Sequence, residues 1–255
     1  MIASLINRSV RGMEYDGIDR KYVVSGTAGR SRFFMTPRDI GLFLRSARTD
    51  AAIAADRPRM GAAAAFDAAY AEGDPWASGD QRYRYQRHKY QVIASLLPKR
   101  RYARALDLGC GMGLLSRHLA AVADTVLGID IAHSAVSQAR AAHADLPHLS
   151  FAQGDVLDVP TKLDGTFDLV VLADTLYYLP PPLTDATLKA VALRMARLLR
   201  PGGVCLLANH FFTGADADSR LSRRIHRAFA WSPALQVTAE HRRPFYLVTV
   251  MEAAC

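Results

Sequence analysis

From residue 105 onward, short apolar runs alternate with longer amphipathic stretches. The runs Ala105–Leu108, Thr125–Ile129, Leu149–Ala152, Asp168–Leu172 and Gly203–Asn209 have strand length and are rich in Leu, Val and Ile. Between them, apolar positions recur at helical spacing over Leu114–Ala123, Ser134–His143 and Asp185–Leu199. Near-continuous apolar strands that alternate with helices predict a parallel sheet covered on both faces. A further helix near Ala217–Ala230 leads into two more strand-like runs, Leu235–Glu240 and Phe245–Met251. The expected fold class is therefore α/β, a doubly wound seven-stranded sheet. Ahead of it, Arg87–Leu97 reads as a helix stopped by Pro98. Residues 1–59 show no such order: GTAGRSR and TPRD read as loops, with local order confined to clusters such as DIGLFLRS.

Composition narrows the picture. A chain of 255 residues that is 50% hydrophobic suffices for one α/β domain with additions. No apolar run approaches the roughly 18 residues of a membrane span, and the first residues lack the pattern of an export signal. Cys110, Cys205 and Cys255 have no metal-ligand spacing and read as reduced thiols, so a cytoplasmic location is expected. Residues 1–104 hold 19 Lys and Arg against 10 Asp and Glu, whereas residues 105–255 hold 13 against 14. The basic excess thus lies ahead of the predicted sheet. QRYRYQRHKY (Gln81–Tyr90) interleaves basic and aromatic residues, but no nucleic-acid-binding signature accompanies it. A helix with a solvated basic face is the preferred reading, and nucleic acid is not the expected partner.

The chemistry concentrates in ALDLGCGMGLLSRHLA, residues 105–120. A strand ending in Asp107 feeds a turn with glycines at 109, 111 and 113, and a helix follows. Glycine there permits close backbone approach to a ligand, and a helix start offers unpaired N–H groups. A dinucleotide fingerprint, G-x-G-x-x-G, would need glycine at 114 or 116, where the chain has Leu114 and Ser116. A phosphate-binding loop would need Gly-Lys-Ser/Thr, which is absent.

An acid before a G-x-G-x-G turn resembles motif I of the class I S-adenosylmethionine (SAM) methyltransferases, whose fold is a Rossmann-like sheet. The resemblance implies that Asp107, Gly109, Gly111 and Gly113 hold the methionine end of SAM. It implies that Asp130, ending VLGID, accepts the ribose hydroxyls, with Ile131 beside it. Asp155 and Val156 of FAQGDVLDVP would meet the adenine, and Ala173 and Asp174 would lie at the mouth of the fourth strand in FDLVVLADTLYYL. RLLRPGGVCLLANHFF corresponds to the helix, turn and fifth strand of the family, and the Leu235–Met251 hairpin to its antiparallel end. Each motif alone has a plainer reading, as a tight turn, a helix cap or a helix stop. Their joint order favours the cofactor.

The entry segment, FDAAYAEGDPWASGDQRYRYQRHKYQVIASLLPKRRYARALDLGCG, and the C-terminal HRAFAWSPALQVTAEHRRPFYLVTVME are similar to the nodulation protein S (NodS) group of N-methyltransferases, over about residues 63–252. Gln86 and the regular glycine motif depart from that group. The resemblance implies methyl transfer to an amine of a small acceptor, an amino sugar or chitooligosaccharide-like molecule. Small-molecule O-methylation stays open, as does a non-catalytic SAM-binding regulator or scaffold. His210, after the fifth strand, is the candidate base, with a pocket-wall role as the alternative. Tyr178 is the candidate acceptor contact. If the fourth strand continues, Tyr177 and Tyr178 point to opposite sides. Trp76 and Tyr85 are expected either to close over the cofactor or to pack on the sheet. No metal is expected, and the oligomeric state is open. Residues 60–255 are expected to form the catalytic domain. Residues 1–59 are expected to be a basic extension, partly disordered and dispensable, because Met60 reads like a natural start.

Overall fold

The computed structural model describes residues 37–212, 214–243 and 245–254, which divide into two compact units, residues 37–160 and residues 161–254. The N-terminal unit begins with three helices, α1 (Pro37–Met60), α2 (Ala62–Ala71) and α3 (Arg84–Ser95). It continues with β1 (Tyr102–Leu108), α4 (Leu114–Ala120), β2 (Ala123–Asp130), α5 (His133–Ala142) and β3 (Leu149–Gln153). β2 pairs in parallel with β1 on one side and β3 on the other. Leu106, Leu108, Val126, Ile129 and Phe151 bury their side chains, as the apolar runs require.

The C-terminal unit holds β4 (Phe167–Ala173), α6 (Asp185–Leu198), β5 (Leu199–His210), α7 (Ala217–Ala230), β6 (Leu235–Arg243) and β7 (Tyr246–Ala253). β4 and β5 are parallel, and β7 runs antiparallel to both β5 and β6. Thr184 caps α6 and Asp216 caps α7, each accepting the backbone N–H three residues on. The seven strands are ordered β3-β2-β1-β4-β5-β7-β6. This mixed sheet with flanking helices is the Rossmann-like class I methyltransferase fold that the sequence predicts.

Three readings need correction. TPRD is not wholly loop: Pro37 opens α1 and Asp39 lies in its first turn. Proline suits the first helical position, where its missing N–H has no intrahelical partner to lose. The helix predicted to Ala123 ends at Ala120, because Ala123 already belongs to β2. The fourth strand stops at Ala173, and Leu176–Tyr178 form a 3₁₀ turn, so Tyr177 and Tyr178 do not alternate. Their rings are neighbours instead, 4.5 Å apart. The GTAGRSR segment lies outside the described residues. No helix among the described residues is long and apolar enough to cross a membrane.

Candidate functional site

The glycine turn leaves β1 and is anchored from β2: the N–H groups of Gly109 and Cys110 both donate to the Ile129 carbonyl, at 2.8 and 3.1 Å. Gly113 has φ +74° and caps α4 in the left-handed region. A Cβ there would lie 2.5 Å from the Phe151 ring and 2.9 Å from His143, so both conformation and space demand glycine. Gly111, at φ +51°, faces the other way, and a Cβ on it would lie 2.5 Å from the Tyr70 hydroxyl. The turn is thus backed by Phe151 of β3 and by His143 just past α5, and overlaid by a side chain of α2.

Two acids end the adjacent strands. Asp130 is buried, and its carboxylate accepts the Gly111 N–H at 2.8 Å and the Ala132 N–H at 3.0 Å. A carboxylate offers about four acceptor positions, so these bonds leave it capacity to accept from a diol. Burial raises its pKa, and the backbone N–H groups of Ala132, Gly111 and Ile131 hold that rise back. Asp107 is also buried and accepts the Ser116 hydroxyl at 2.6 Å. Burial pushes its pKa up to about 6, the Ser116 hydrogen bond opposes the rise, and the negative charge of Asp130 adds to it. The same surroundings push the Cys110 thiol well above its ordinary value, so it is inert rather than nucleophilic. A buried acid pair with no cation among its named partners suits a ligand that brings positive charge and a diol together.

The remaining candidates of this unit lie around that pair. Gly154 donates its N–H to the Asp130 carbonyl at 2.9 Å, which fixes the start of the following loop. In that loop Asp155 accepts the Leu157 N–H at 2.8 Å and Val156 is buried. Trp76 donates its indole N–H to Asp50 at 2.8 Å and packs on Tyr70, ring centres 5.4 Å apart. Tyr85 is buried beside Tyr83, with ring centres 5.9 Å apart.

The C-terminal unit carries the other candidates. Ala173 ends β4, and Asp174 follows with φ +54°, a strained position for a side-chain-bearing residue. Its N–H donates to the Ala208 carbonyl at 2.8 Å, and Thr175 hydrogen bonds back to Ala173. His210 ends β5, half-buried, in register with Tyr246 of β7. Burial pushes Tyr246 up to about 12, Arg243 opposes the rise, and the negative charge of Asp174 adds to it. Asp174 was placed at the strand mouth from sequence, but Tyr246 was not among the candidates. The position of Asp174, one residue past an apolar strand, was the available signal; its positive φ was not. A second histidine, His226, is fully buried between Thr249 at 2.7 Å and Asn209 at 3.0 Å.

Residues 105–203 match a family model described as a methyltransferase domain. A trans-aconitate 2-methyltransferase of Deinococcus radiodurans is 38% identical over 123 residues, covering 46% of this chain and 43% of that protein. A nodulation protein S of Rhizobium tropici is 28% identical over 156 residues, covering 61% of this chain and 60% of that protein. The chain thus spans less than two thirds of the length of either relative. The crystal structure of the N-methyltransferase NodS from Bradyrhizobium japonicum WM9, in complex with S-adenosyl-L-homocysteine (SAH), superposes with a TM-score of 0.57. That superposition covers 71% of this chain and 92% of the other at 22% identity, a likeness of fold.

Proposed function

We propose that the chain is a SAM-dependent methyltransferase that methylates an amine of a small acceptor, with an amino sugar as the leading class. The observation that carries the cofactor assignment is the buried pair Asp107 and Asp130 on either side of the glycine turn. Asp130 would take the ribose hydroxyls on its remaining acceptor capacity, and Asp107 would gain a countercharge from the cationic methionine end. Gly109, Gly111 and Gly113 would allow the backbone to approach that end, Ile131, Asp155 and Val156 would line the base, and Ala173 and Trp76 complete the proposed set. SAM supplies an electrophilic methyl group on a sulfonium.

The chain's own task is then to present a neutral nucleophile in line and in a water-poor setting. His210, half-buried at the end of β5, is the proposed proton acceptor for an ammonium or hydroxyl group. Tyr178, in the turn after β4, is the proposed acceptor contact, through its hydroxyl or its ring face. Amine rather than hydroxyl as the target draws support from the similarity to nodulation protein S over 61% of the chain and from the fold shared with an N-methyltransferase. Incubation with methyl-labelled SAM and matched amino-sugar and hydroxyl-only acceptors tests this. Label on the amine alone is the expected result; label on the hydroxyl compounds would redirect the reading to O-methylation. Cofactor binding without transfer to any acceptor would favour a regulator.

A further inference from the structure

Helix α1 precedes the matched methyltransferase region by more than forty residues, yet it is fastened to the loop that carries Trp76. Three side chains of one face, spaced along successive turns, each reach a backbone carbonyl of that loop: Arg45 to Asp74 at 3.1 Å, Thr49 to Pro75 at 2.7 Å and Ser46 to Trp76 at 3.1 Å. Asp50, on the same face, accepts the Trp76 indole N–H at 2.8 Å. The Trp76 ring then packs against Phe66 and Tyr70 of α2, with centres 6.3 and 5.4 Å away.

Tyr70 is the residue whose hydroxyl overlies Gly111. Its backbone is held independently, because its carbonyl accepts the Gln138 amide at 2.6 Å from α5. Asp67, one turn earlier, accepts the Ser134 N–H at 2.6 Å. That bond caps α5 from outside, since Ala132 at its start has no side chain able to do so. Gly111 in turn donates to Asp130. Hydrogen bonds and ring contacts therefore run from Asp50 through Trp76 to Tyr70, whose hydroxyl lies over the turn beside the buried acids.

We propose that Asp50 is a positioning residue for the cofactor site, and that α1 belongs to the binding apparatus rather than to a dispensable extension. This rests on the cofactor reading above. Asp50 fixes the tilt of Trp76, Trp76 fixes Tyr70, and Tyr70 sets how far the face of Gly111 is open to the methionine end of the ligand. Freeing Trp76 lets Tyr70 swing, which raises the ordering cost that the ligand must meet on binding.

The test uses the full chain carrying Trp231→Phe. Trp231 is 52% exposed and is the only tryptophan besides Trp76, so Trp76 becomes the sole indole reporter. SAH affinity is measured by calorimetry, and Trp76 emission in the same samples. In Asp50→Ala the SAH dissociation constant is expected to rise about tenfold, the effect of losing one charged hydrogen bond, with emission shifted to the red. Asp50→Asn keeps an acceptor for the indole and is expected to stay within about threefold of the parent. Tyr70→Phe should weaken SAH without moving the emission. If Asp50→Ala fails to fold, Thr49→Val releases the same loop from α1 at the neighbouring Pro75 carbonyl, with an expected loss of about threefold. Parent affinity in Asp50→Ala, or in Thr49→Val where that variant stands in, overturns the proposal and leaves the cofactor reading standing. A parent that binds neither SAM nor SAH overturns both.

Discussion

Asp107 in the N-terminal unit and His226 in the C-terminal unit are both shut away from solvent, and burial moves each toward its neutral form. Their surroundings differ. His226 sits between the Thr249 hydroxyl and the Asn209 amide oxygen, neutral partners that suit a neutral imidazole, and burial lowers its pKa to about 3. Asp107 has the Ser116 hydroxyl and, nearby, a second carboxylate that works against its ionisation. Burial of an ionisable group does not by itself mark a site. A histidine whose neutral form is fully served belongs to the core. An acid left short of positive charge, beside a turn that only glycine can make, points to a ligand.

The comparison breaks most sharply at Gly113. Alanine there must hold φ +74° and displace the Phe151 ring, against which its Cβ would lie at 2.5 Å. Left-handed strain and overpacking together cost about 3 kcal/mol, a fall in Tm of about 10 °C for a chain of this size. A thermal melt that matched wild type would remove the steric basis of the turn.

Asp107→Asn tests the uncompensated acid. The folded pKa of about 6 lies above the ordinary carboxyl value of 3.8. Stability contributed by the protonated form is therefore complete below about pH 4 and lost as pH rises through 6. The variant removes that loss, a gain of about 3 kcal/mol for the unliganded protein at pH 8, while SAM affinity falls. In wild type, SAM should bind more tightly as pH rises through 6. Denaturant titrations at pH 4 and 8 and calorimetry across that range supply both readings, and equal stability of variant and wild type at pH 8 would contradict the account.

His226→Gln gives the opposite pH sense. The folded pKa, about 3, lies below the ordinary value of 6.5, so the neutral histidine's contribution is complete above about pH 6.5 and drains away as pH falls toward 3. At pH 5 wild type should have lost about 2 kcal/mol from this group. The glutamine variant, which does not titrate, should show a flatter stability profile between pH 7 and 5 and unchanged SAM affinity at pH 7.5. Weakened cofactor binding would put His226 on the functional side of the comparison.

The two units also differ in how far the sequence revealed them. Local signals were enough for the glycine turn: Asp107, three alternating glycines and the strand before them are contiguous. The helix Ala217–Ala230 was legible to the residue, with Asp216 as its cap and Ile225 and Phe229 one turn apart on its buried face. Helix α1 was hidden. Its fastenings, Asp50 to Trp76 and Thr49 to Pro75, join residues 26 positions apart. Nothing local in the segment announces those partners. The run Asp168–Leu172 places the end of β4 to within one residue, but the positive φ of Asp174 that keeps the following Leu-Tyr-Tyr out of the strand leaves no mark in the run. Tyr246 emerged only when β5 and β7 were in register. Contiguous chemistry could be read from the chain; contacts between distant segments could not.

Asp130 tests the central claim most directly, because its carboxylate holds the glycine turn by one lone pair and, on this account, the cofactor by others. Calorimetric titration of SAM and SAH into wild type and Asp130→Ala should show binding by wild type and at least a tenfold loss in the variant, about 1.4 kcal/mol or more. Wild-type protein that binds neither ligand, or a folded variant that binds both as well as wild type, would contradict it.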